Sequence, residues 1–146
     1  TSSHAGARPS HAEWQGQVFY FDEPVKGYRS FKEVCRYGEA DGIGGVNCRH
    51  SFFPYYEGIS TPSFDKDPAE ELGIDNNELY KLEQKQRSYE RIIRQTKKEI
   101  EVYKAGGDKE LEKQARAKLE ETRAKLRAFI KENTALVRDY SREAIQ

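Results

Sequence analysis

Apolar and polar residues follow two different patterns along the chain, and the change comes near residue 75. Before it, apolar residues form short runs separated by glycines and prolines, which is typical of short helices, strands and loops. After it, they recur every three or four residues over two long stretches, the spacing of helices that bury one face. We therefore predict an α+β fold: a small module with two strands and short helices in residues 1–62, a linker with a short helical turn in residues 63–75, and a long antiparallel helical hairpin in residues 76–146.

Two short helices are predicted in the first module. Each begins at a Ser-x-x-Glu sequence, in which the serine and glutamate side chains satisfy free backbone N–H groups at a helix start. The first sequence spans residues 10–13 and its helix is ended by Gly16. The second spans residues 30–33 and its helix continues to Tyr37. Cys35 would lie on the buried face of this second helix, so it is interpreted as a small core residue.

Two strands are predicted between and after these helices. Residues 17–21 are rich in β-branched and aromatic side chains, and residues 46–53 form a similar run that Pro54 ends. Alternate residues of a strand share one face. Cys48 and His50 would therefore lie side by side.

The second half of the chain is predicted to form two helices with one buried seam each. Asp75 or Asn76 caps the first helix, and residues 105–108 supply a helix stop, a turn and a new N-cap. So short a connection makes the helices antiparallel neighbours. The seam residues are Leu82, Gln86, Tyr89, Ile93, Thr96, Ile100 and Tyr103 in the first helix, and Leu119, Thr122, Leu126, Phe129, Asn133, Leu136 and Tyr140 in the second.

Composition adds limits to this pattern. Hydrophobic residues make up 36% and charged residues 34% of the 146 positions, and no apolar run is long enough to predict a membrane-spanning helix. The sequence lacks methionine, so we expect it to be a piece of a longer protein or a processed product.

With two cysteines, the chain does not have the pattern of a disulfide-rich secreted domain, and a reducing compartment is expected. A Cys35–Cys48 disulfide is the alternative.

Charge is distributed unevenly although the net charge is zero. Residues 1–75 hold 7 Lys and Arg against 12 Asp and Glu, whereas residues 76–146 hold 18 against 13. The basic excess of the hairpin is interleaved with acidic residues at helix-pairing distances, which favours a solvated face of mixed charge. Weak, salt-sensitive contact with DNA and self-association through the helices remain as predictions for this part.

Four side chains of the first module suit a metal ion. His4, His11, Cys48 and His50 supply the number of ligands that a structural zinc site needs, and a small module gains folding energy from such a site. The Cys-x-His spacing differs from the usual Cys-x2-Cys. The alternative is that His4 and His11 are hydrogen-bonded polar residues and Cys48 is a small buried side chain.

A catalytic interpretation of the same residues is the third alternative. The histidines could transfer protons while Arg8 and Arg49 bind an oxyanion, as in a metal-independent nuclease or a transferase. Cys48 and His50 lack an orienting third residue, and the glycines of residues 42–45 precede a predicted strand, so they indicate a turn and not a phosphate-binding loop. We therefore predict no catalytic and no cofactor-binding residue other than the zinc ligands.

Two sequence elements carry a resemblance to a known family. Arg8-Pro9-Ser10-His11, within residues 2–16, and Asn47-Cys48-Arg49-His50, within residues 44–55, are similar to elements of the phage minor capsid protein 2 family. That family is related to the Mu-type head morphogenesis proteins, in which an Arg-Pro-x-His element precedes Asn-Cys-Arg-Cys or Asn-Cys-Arg-His. The resemblance covers residues 1 to about 60, and extends more loosely to the charged helical part from Gln84 onward.

The resemblance implies a structural protein of the phage head. Such a protein would act through contacts with portal or capsid proteins, in the virion and in the host cytoplasm during assembly, and would not be an enzyme. It also implies that the histidine and cysteine elements belong to one module. A histidine-based nuclease or transferase carried in the phage head is the alternative function.

Overall fold

The structure is a computed structural model that describes residues 1–25, 27–62, 64 and 67–145. These residues divide into two compact units, Thr1–Tyr80 and Lys81–Gln146, which are described separately. None of the described helices is both long and apolar enough to cross a membrane. The helices are α1 (Pro9–Ala12), α2 (Phe31–Val34), α3 (Asn76–Gly106) and α4 (Lys109–Glu132), with short 3-10 turns at Glu70–Leu72 and Tyr140–Glu143.

The predicted linker is described only in part. Its residues 63, 65 and 66 lie outside the described residues. The short helical turn expected in it is present at Glu70–Leu72, and Gly73 follows in the left-handed conformation. The predicted division into residues 1–62, 63–75 and 76–146 remains a prediction.

The predicted α+β class is wrong, because the described residues form no β-strand. In the first predicted strand, residues 17–21, the N–H of Tyr20 donates to the carbonyl of Arg29 (3.0 Å), and the N–H of Phe31 donates to the carbonyl of Tyr20 (2.7 Å). Only an isolated bridge between Tyr20 and Ser30 results. Since Ser30 is the N-cap of α2, the neighbouring segment turns into a helix and cannot extend the ladder.

The prediction of a second strand at residues 46–53 is also wrong. Asn47 has a φ of 57°, inside the left-handed region, so this segment begins in a turn. Farther along, the N–H of Ser2 donates to the carbonyl of Ser51 (2.7 Å), and the N–H of Ser51 donates to the Ser2 hydroxyl (2.8 Å). One such pair ties two extended segments together without forming a ladder.

The first predicted helix exists, but its capping box does not. Helix α1 begins at Pro9, with Arg8 as an N-cap that makes no side-chain hydrogen bond to the helix start. Proline fits the first helical position because its missing N–H would have no partner there. Ser10 and Glu13 are therefore not the reciprocal caps that the sequence pattern indicated. Gly16 does adopt the left-handed conformation, with a φ of 66°.

The second capping box is confirmed at its serine. The Ser30 hydroxyl accepts a hydrogen bond from the N–H of Glu33 (3.3 Å) at the start of α2. The helix ends at Val34, one turn earlier than predicted, and Arg36 follows with a φ of 50°.

The core of the first unit is small and aromatic. Cys35 is fully buried, which confirms its predicted place in the core. Burial raises the pKa of the Cys35 thiol to about 12. Both cysteines are free thiols, so the alternative disulfide is not formed. The buried cluster is Trp14, Phe31, Cys35 and Ile43, with Phe19, Val34 and Cys48 packed against it.

A tight loop after α2 depends on glycine. The N–H of Ile43 donates to the carbonyl of Cys35 (2.8 Å), so the chain folds back onto the end of the helix. A Cβ added to Gly42 would lie 1.8 Å from the carbonyl oxygen of Arg36. Because only glycine permits this approach, Gly42 fixes the loop that carries Asp41.

The sequence indicates Asp75 or Asn76 as the cap of α3. In the structure the two residues have different roles. Asp75 is the cap, since its carboxylate accepts hydrogen bonds from the N–H groups of Asn77 and Glu78, both at 3.0 Å. The buried Asn76 side chain instead pairs with the backbone of Ala7, accepting from its N–H (3.0 Å) and donating to its carbonyl (2.9 Å). The N-terminal segment is thereby held at the start of α3.

The second unit confirms the predicted hairpin and its turn. Gly107 has a φ of 75°, and the Asp108 carboxylate accepts from the N–H of Leu111 (3.0 Å) to cap α4. Rings of Tyr89 and Phe129 lie 5.9 Å apart far from the turn, so the helices run antiparallel. Except for Tyr140, the predicted seam residues are buried or half-buried. The central cluster is Ile93, Ile100, Ala115, Leu119 and Leu126, with Tyr89, Tyr103 and Ile130 packed against it.

The second helix is shorter than predicted. It ends at Glu132, because the Asn133 side chain donates to the carbonyl of Phe129 (2.7 Å) in competition with the helix backbone. Leu136 is still buried, but Tyr140 is exposed and does not belong to the seam.

The residues after α4 are held on α3 by polar contacts. The Gln86 amide donates to the carbonyl of Val137 (2.9 Å), and the Lys97 ammonium donates to the carbonyl of Glu143 (2.6 Å). Arg138 donates to both carboxylate oxygens of the buried Glu143, at 2.7 and 3.0 Å. This bidentate bonding raises the pKa of Arg138.

Candidate metal centre

His11 lies in α1 with its imidazole buried. Its Nε2 is 2.7 Å from the carbonyl oxygen of Asp41, in the loop that Gly42 fixes. A carbonyl only accepts hydrogen bonds, so the proton of a neutral His11 is on Nε2. The lone pair of the ring is therefore on Nδ1, which points away from the loop.

His50 is held in the same manner by a glutamine. The His50 Nε2 lies 3.1 Å from Oε1 of Gln15, an oxygen that also accepts the backbone N–H of His4 (3.2 Å). This second hydrogen bond identifies the atom facing His50 as the amide oxygen, so the Nε2 of His50 is a donor. Again Nδ1 carries the lone pair.

The two lone pairs meet at one thiol. The Sγ of Cys48 is 3.8 Å from Nδ1 of His11 and 3.7 Å from Nδ1 of His50. The ligand atoms of the three residues all lie within 4.8 Å of one another. Cys48 and His50 are neighbours as the alternation pattern predicted, although the chain that carries them is not a strand.

His4 lies beside this cluster. Its ring centroid is 4.3 Å from that of His50, and its Nδ1 is 3.0 Å from the carbonyl oxygen of Ala5. Of the four predicted metal ligands, the structure thus brings His11, Cys48 and His50 into one group, and His4 lies beside it with its ring tilted by 36° from that of His50.

Electrostatics keeps one of these imidazoles neutral. Burial lowers the pKa of His50 to about 3, and the positive charges of His4, His11 and Arg49 act in the same direction. A histidine binds a metal through its neutral form. At neutral pH His50 is therefore in the protonation state that a metal ligand requires.

Sequence reasoning missed Trp14 and Gln15. The Trp14 ring lies 4.7 Å from the rings of both His11 and His50, and Gln15 is buried to 1% exposure while it holds His50. Their position directly after α1 was the available signal, because a residue four positions from His11 returns to the same side of a helical turn.

Arg8 has a structural contact instead of the oxyanion-binding role considered in the catalytic alternative. Its guanidinium donates to the carbonyls of Val46 (3.0 Å) and Asp41 (3.5 Å). These bonds hold the loop that leads into Cys48 next to α1.

An apolar groove of about 570 Å³ lies in the same unit. We call it the aromatic groove. Several of its rings remain open to solvent, with Phe53 exposed to 60% and Phe21 to 47%. Glu57 is the only charged side chain among the described residues that line it. Its aromatic lining includes Phe19, Phe21, Phe31, Phe52, Phe53 and Phe64.

Comparisons with known proteins cover both units. Residues 1–131 match the family described as "Phage minor capsid protein 2". A "Structural protein" of Lactococcus phage mv4 is 35% identical over 109 residues, which cover 75% of this chain and 85% of that protein. A "Structural protein" of Lactococcus phage LL-H is 33% identical over 108 residues, covering 74% of this chain but 28% of that protein. No solved structure matches significantly.

Proposed function

Because this chain belongs to the phage minor capsid protein 2 family, we propose that it is a structural component of the phage head that acts through protein contacts near the portal or the capsid interior. The family places the protein in the virion. The proposal goes further than the family match in two respects. It includes contact with portal or capsid subunits, and presence in the host cytoplasm during assembly.

The extent of the family match supports this proposal most strongly. It spans residues 1–131, and so includes the candidate metal centre, the aromatic groove and nearly all of the helical hairpin. Both viral relatives are named structural proteins. A structural role is therefore supported for the two units together.

The aromatic groove supports a protein partner. Exposed apolar surface of this kind is typical of protein interaction sites. Since its described lining contains one acidic and no basic side chain, nucleic acid is a poor fit for it. The occupant that we propose is an apolar segment of another virion protein.

A binding experiment tests this surface. We expect the purified protein to retain the portal or major capsid protein of its phage, and Phe53→Ser to weaken that retention at least about tenfold. Val46→Ser is the matched control, since Val46 lies in the same unit, is exposed to a similar degree, 63%, and is not among the residues that line the groove. Equal retention by both variants, or retention of neither head protein by the unsubstituted chain, would contradict the proposal.

Self-association through the helices is a further part of the proposal. Ile92, Val102 and Leu111 are exposed apolar residues on α3 and α4, and such residues can pair between copies. Sedimentation velocity over a hundredfold concentration range should show a concentration-dependent increase in mass. A constant monomer mass would contradict self-association and leave the proposed contacts with other head proteins unaffected.

The nuclease or transferase alternative has little support from the site. The imidazoles of His11 and His50 are both buried, and each has one nitrogen bonded to a protein oxygen. A proton-transfer residue must reach its substrate. Cleavage of plasmid or RNA by the purified protein, abolished by His11→Ala in a folded variant, would revive the alternative.

A further inference from the structure

We propose that this protein binds one Zn²⁺ ion through Nδ1 of His11, Sγ of Cys48 and Nδ1 of His50, with His4 at the fourth position. The inference is independent of the proposed partner contacts. It adds a metal site to the first unit, and it joins α1 to the segment that carries Cys48 and His50.

The distances suit a tetrahedral zinc ion. With Zn–S near 2.3 Å and Zn–N near 2.0 Å, the sulfur and nitrogen ligand atoms of a tetrahedron lie about 3.5 Å apart. The two observed Sγ···Nδ1 distances are 3.7 and 3.8 Å. The two sulfur–nitrogen separations therefore need to change by only a few tenths of an ångström, whereas the two Nδ1 atoms, which lie within 4.8 Å of each other, would approach to about 3.3 Å around the ion.

The hydrogen bonds around the cluster point both lone pairs at the same place. His11 donates from Nε2 to the Asp41 carbonyl, and His50 donates from Nε2 to the Gln15 amide oxygen. Such second bonds fix the ring orientation and the tautomer of metal-binding histidines. These two bonds hold both rings in the tautomer and orientation that the ion requires.

The donor set selects the metal. Two imidazoles and a thiolate are ligands of zinc and similar transition metals, whereas Ca²⁺ and Mg²⁺ require oxygen ligands. The described three-residue group contains no carboxylate. Zn²⁺ has no redox chemistry, which fits a stabilising role.

The fourth position is assigned to His4. Its ring already lies 4.3 Å from that of His50, and its backbone N–H is bonded to the same Gln15 that orients His50. With His4 included, the ion would connect the N-terminal segment, α1 and the Cys48–His50 segment. Because the core of this unit is small, binding of the ion would contribute directly to its folding.

Cobalt substitution tests the site in the full chain. Protein freed of metal by a chelator under reducing conditions is titrated with Co²⁺, and then with Zn²⁺. We expect one Co²⁺ per chain, visible bands typical of a tetrahedral site and a near-ultraviolet thiolate-to-cobalt band, all removed by one equivalent of Zn²⁺. Trp14 is the only tryptophan and touches both histidine rings, so its fluorescence should fall in parallel with cobalt binding.

Substitution of each cysteine provides a matched pair. Cys48→Ser should abolish the thiolate band and weaken zinc binding at least about 100-fold. Cys35→Ser should keep both, since Cys35 lies in the core and outside the cluster. His4→Gln should keep the thiolate band but weaken binding about tenfold or more, and unchanged affinity would overturn the assignment of His4.

A measurement on the unsubstituted protein covers the case in which Cys48→Ser does not fold. X-ray absorption at the zinc edge should show one sulfur near 2.3 Å and nitrogen ligands near 2.0 Å. Absence of sulfur from the shell, absence of a thiolate band, or a zinc content below about 0.2 per chain after reconstitution would each overturn the proposal.

Discussion

Gln15 is the residue on which the histidine cluster depends most. Its buried amide oxygen accepts both from His50 and from the backbone of His4. Gln15→Leu should therefore leave one buried and one partly buried donor without this acceptor. We expect the free energy of unfolding to fall by about 2 kcal/mol, because unsatisfied buried groups keep their desolvation cost.

Urea unfolding followed through Trp14 fluorescence measures this loss. Gln17→Leu is the control, since the side-chain hydrogen bonds of Gln17 are exposed and their loss should cost no more than about 0.5 kcal/mol. Equal effects of the two substitutions would show that Gln15 does not organise the cluster.

Cys35 makes stability depend on pH at the alkaline end. Burial raises the pKa of its thiol from the ordinary value of 9.0 to about 12, so the unfolded chain releases this proton first. The contribution of Cys35 is thus complete below pH 9 and is lost as the pH rises toward about 12.

Thiolate absorbance near 240 nm checks this behaviour. In the native protein one thiol should titrate only near pH 12, and Cys35→Ala should remove that transition and flatten the decline of the urea midpoint above pH 9. A native Cys35 that reacts with iodoacetamide at pH 8.5 as fast as a free thiol would contradict the burial of its side chain.

Residue-level patterns predicted the chemistry of the site better than its backbone. The types and number of the histidines and cysteines indicated a metal-binding group, of which the structure brings His11, Cys48 and His50 together. The pairing of Cys48 with His50 needs only an extended i, i+2 geometry. The spacing of Gln15 from His11 indicates only that the two residues share a side of one helical turn. The contacts of Gln15 with His50 and of the Asp41 carbonyl with His11 arise from how distant segments meet, which local patterns do not contain.

At the scale of elements, the loop after α2 has the strictest steric requirement, because it needs glycine at position 42. Gly42→Ala would place a Cβ 1.8 Å from the carbonyl oxygen of Arg36, and backbone cannot yield there as a flexible side chain would. We expect a loss of about 3 kcal/mol or more in the free energy of unfolding. Gly106→Ala, at the end of α3 with no atom within 4 Å of the added Cβ, should instead be neutral or stabilising by up to about 1 kcal/mol.

Thermal unfolding of the two alanine variants gives the comparison. A Gly42→Ala protein as stable as the unsubstituted chain would mean that the loop relaxes without cost. It would also mean that Gly42 is not what holds the Asp41 carbonyl in hydrogen-bonding position for His11.

The segment after α4 depends on the Arg138–Glu143 pair. Arg138→Met should leave the buried Glu143 carboxylate without its bidentate partner and cost about 2 kcal/mol, whereas the double variant with Glu143→Gln should recover part of that loss. A double-mutant cycle from urea unfolding measures the coupling. Additive effects would show that the pair contributes nothing specific.

Elements were predicted well where their determinants are local. The hairpin, its Gly107 turn and the Ser30 cap depend on residues within one or two turns of each other. The two strands failed because a strand also needs a partner segment, and the partners here turn into α2 or contribute a single bonded pair. The early end of α4 at Asn133 follows from a side-chain bond that heptad spacing does not detect.

At the scale of the whole molecule, the two halves of the sequence differ in charge. Part of the positive charge of the basic half is compensated by ion pairs with neighbouring acidic side chains, which weakens its attraction for DNA. We expect retention on DNA only at low salt, lost by about 200 mM, with equal retention on heparin. A filter-binding series checks this, and binding that persists at 500 mM salt would contradict it. The pairs include Arg116–Glu112, Lys118–Glu99, Arg123–Glu120 and Lys125–Glu121.

The family could be predicted from two short motifs, and the match then proved to extend over residues 1–131. The Arg8–His11 and Asn47–His50 elements are informative because one cluster needs both of them. The hairpin carries little identifying information, because many sequences satisfy its heptad spacing and mixed charge. Partners cannot be predicted in the same way, since they depend on surfaces of other molecules.

The contact between Ala7 and Asn76 has a consequence for the order of folding. The two residues are 69 positions apart, so their pairing closes a long loop at an entropic cost of about 4 kcal/mol. The hairpin, in contrast, grows from a turn through neighbouring residues and should form early. During translation residues 1–75 leave the ribosome first, yet the N-terminal segment cannot reach its final place until the start of α3 has been made. Of these two parts of the chain, the one synthesised earlier is thus expected to become fixed later.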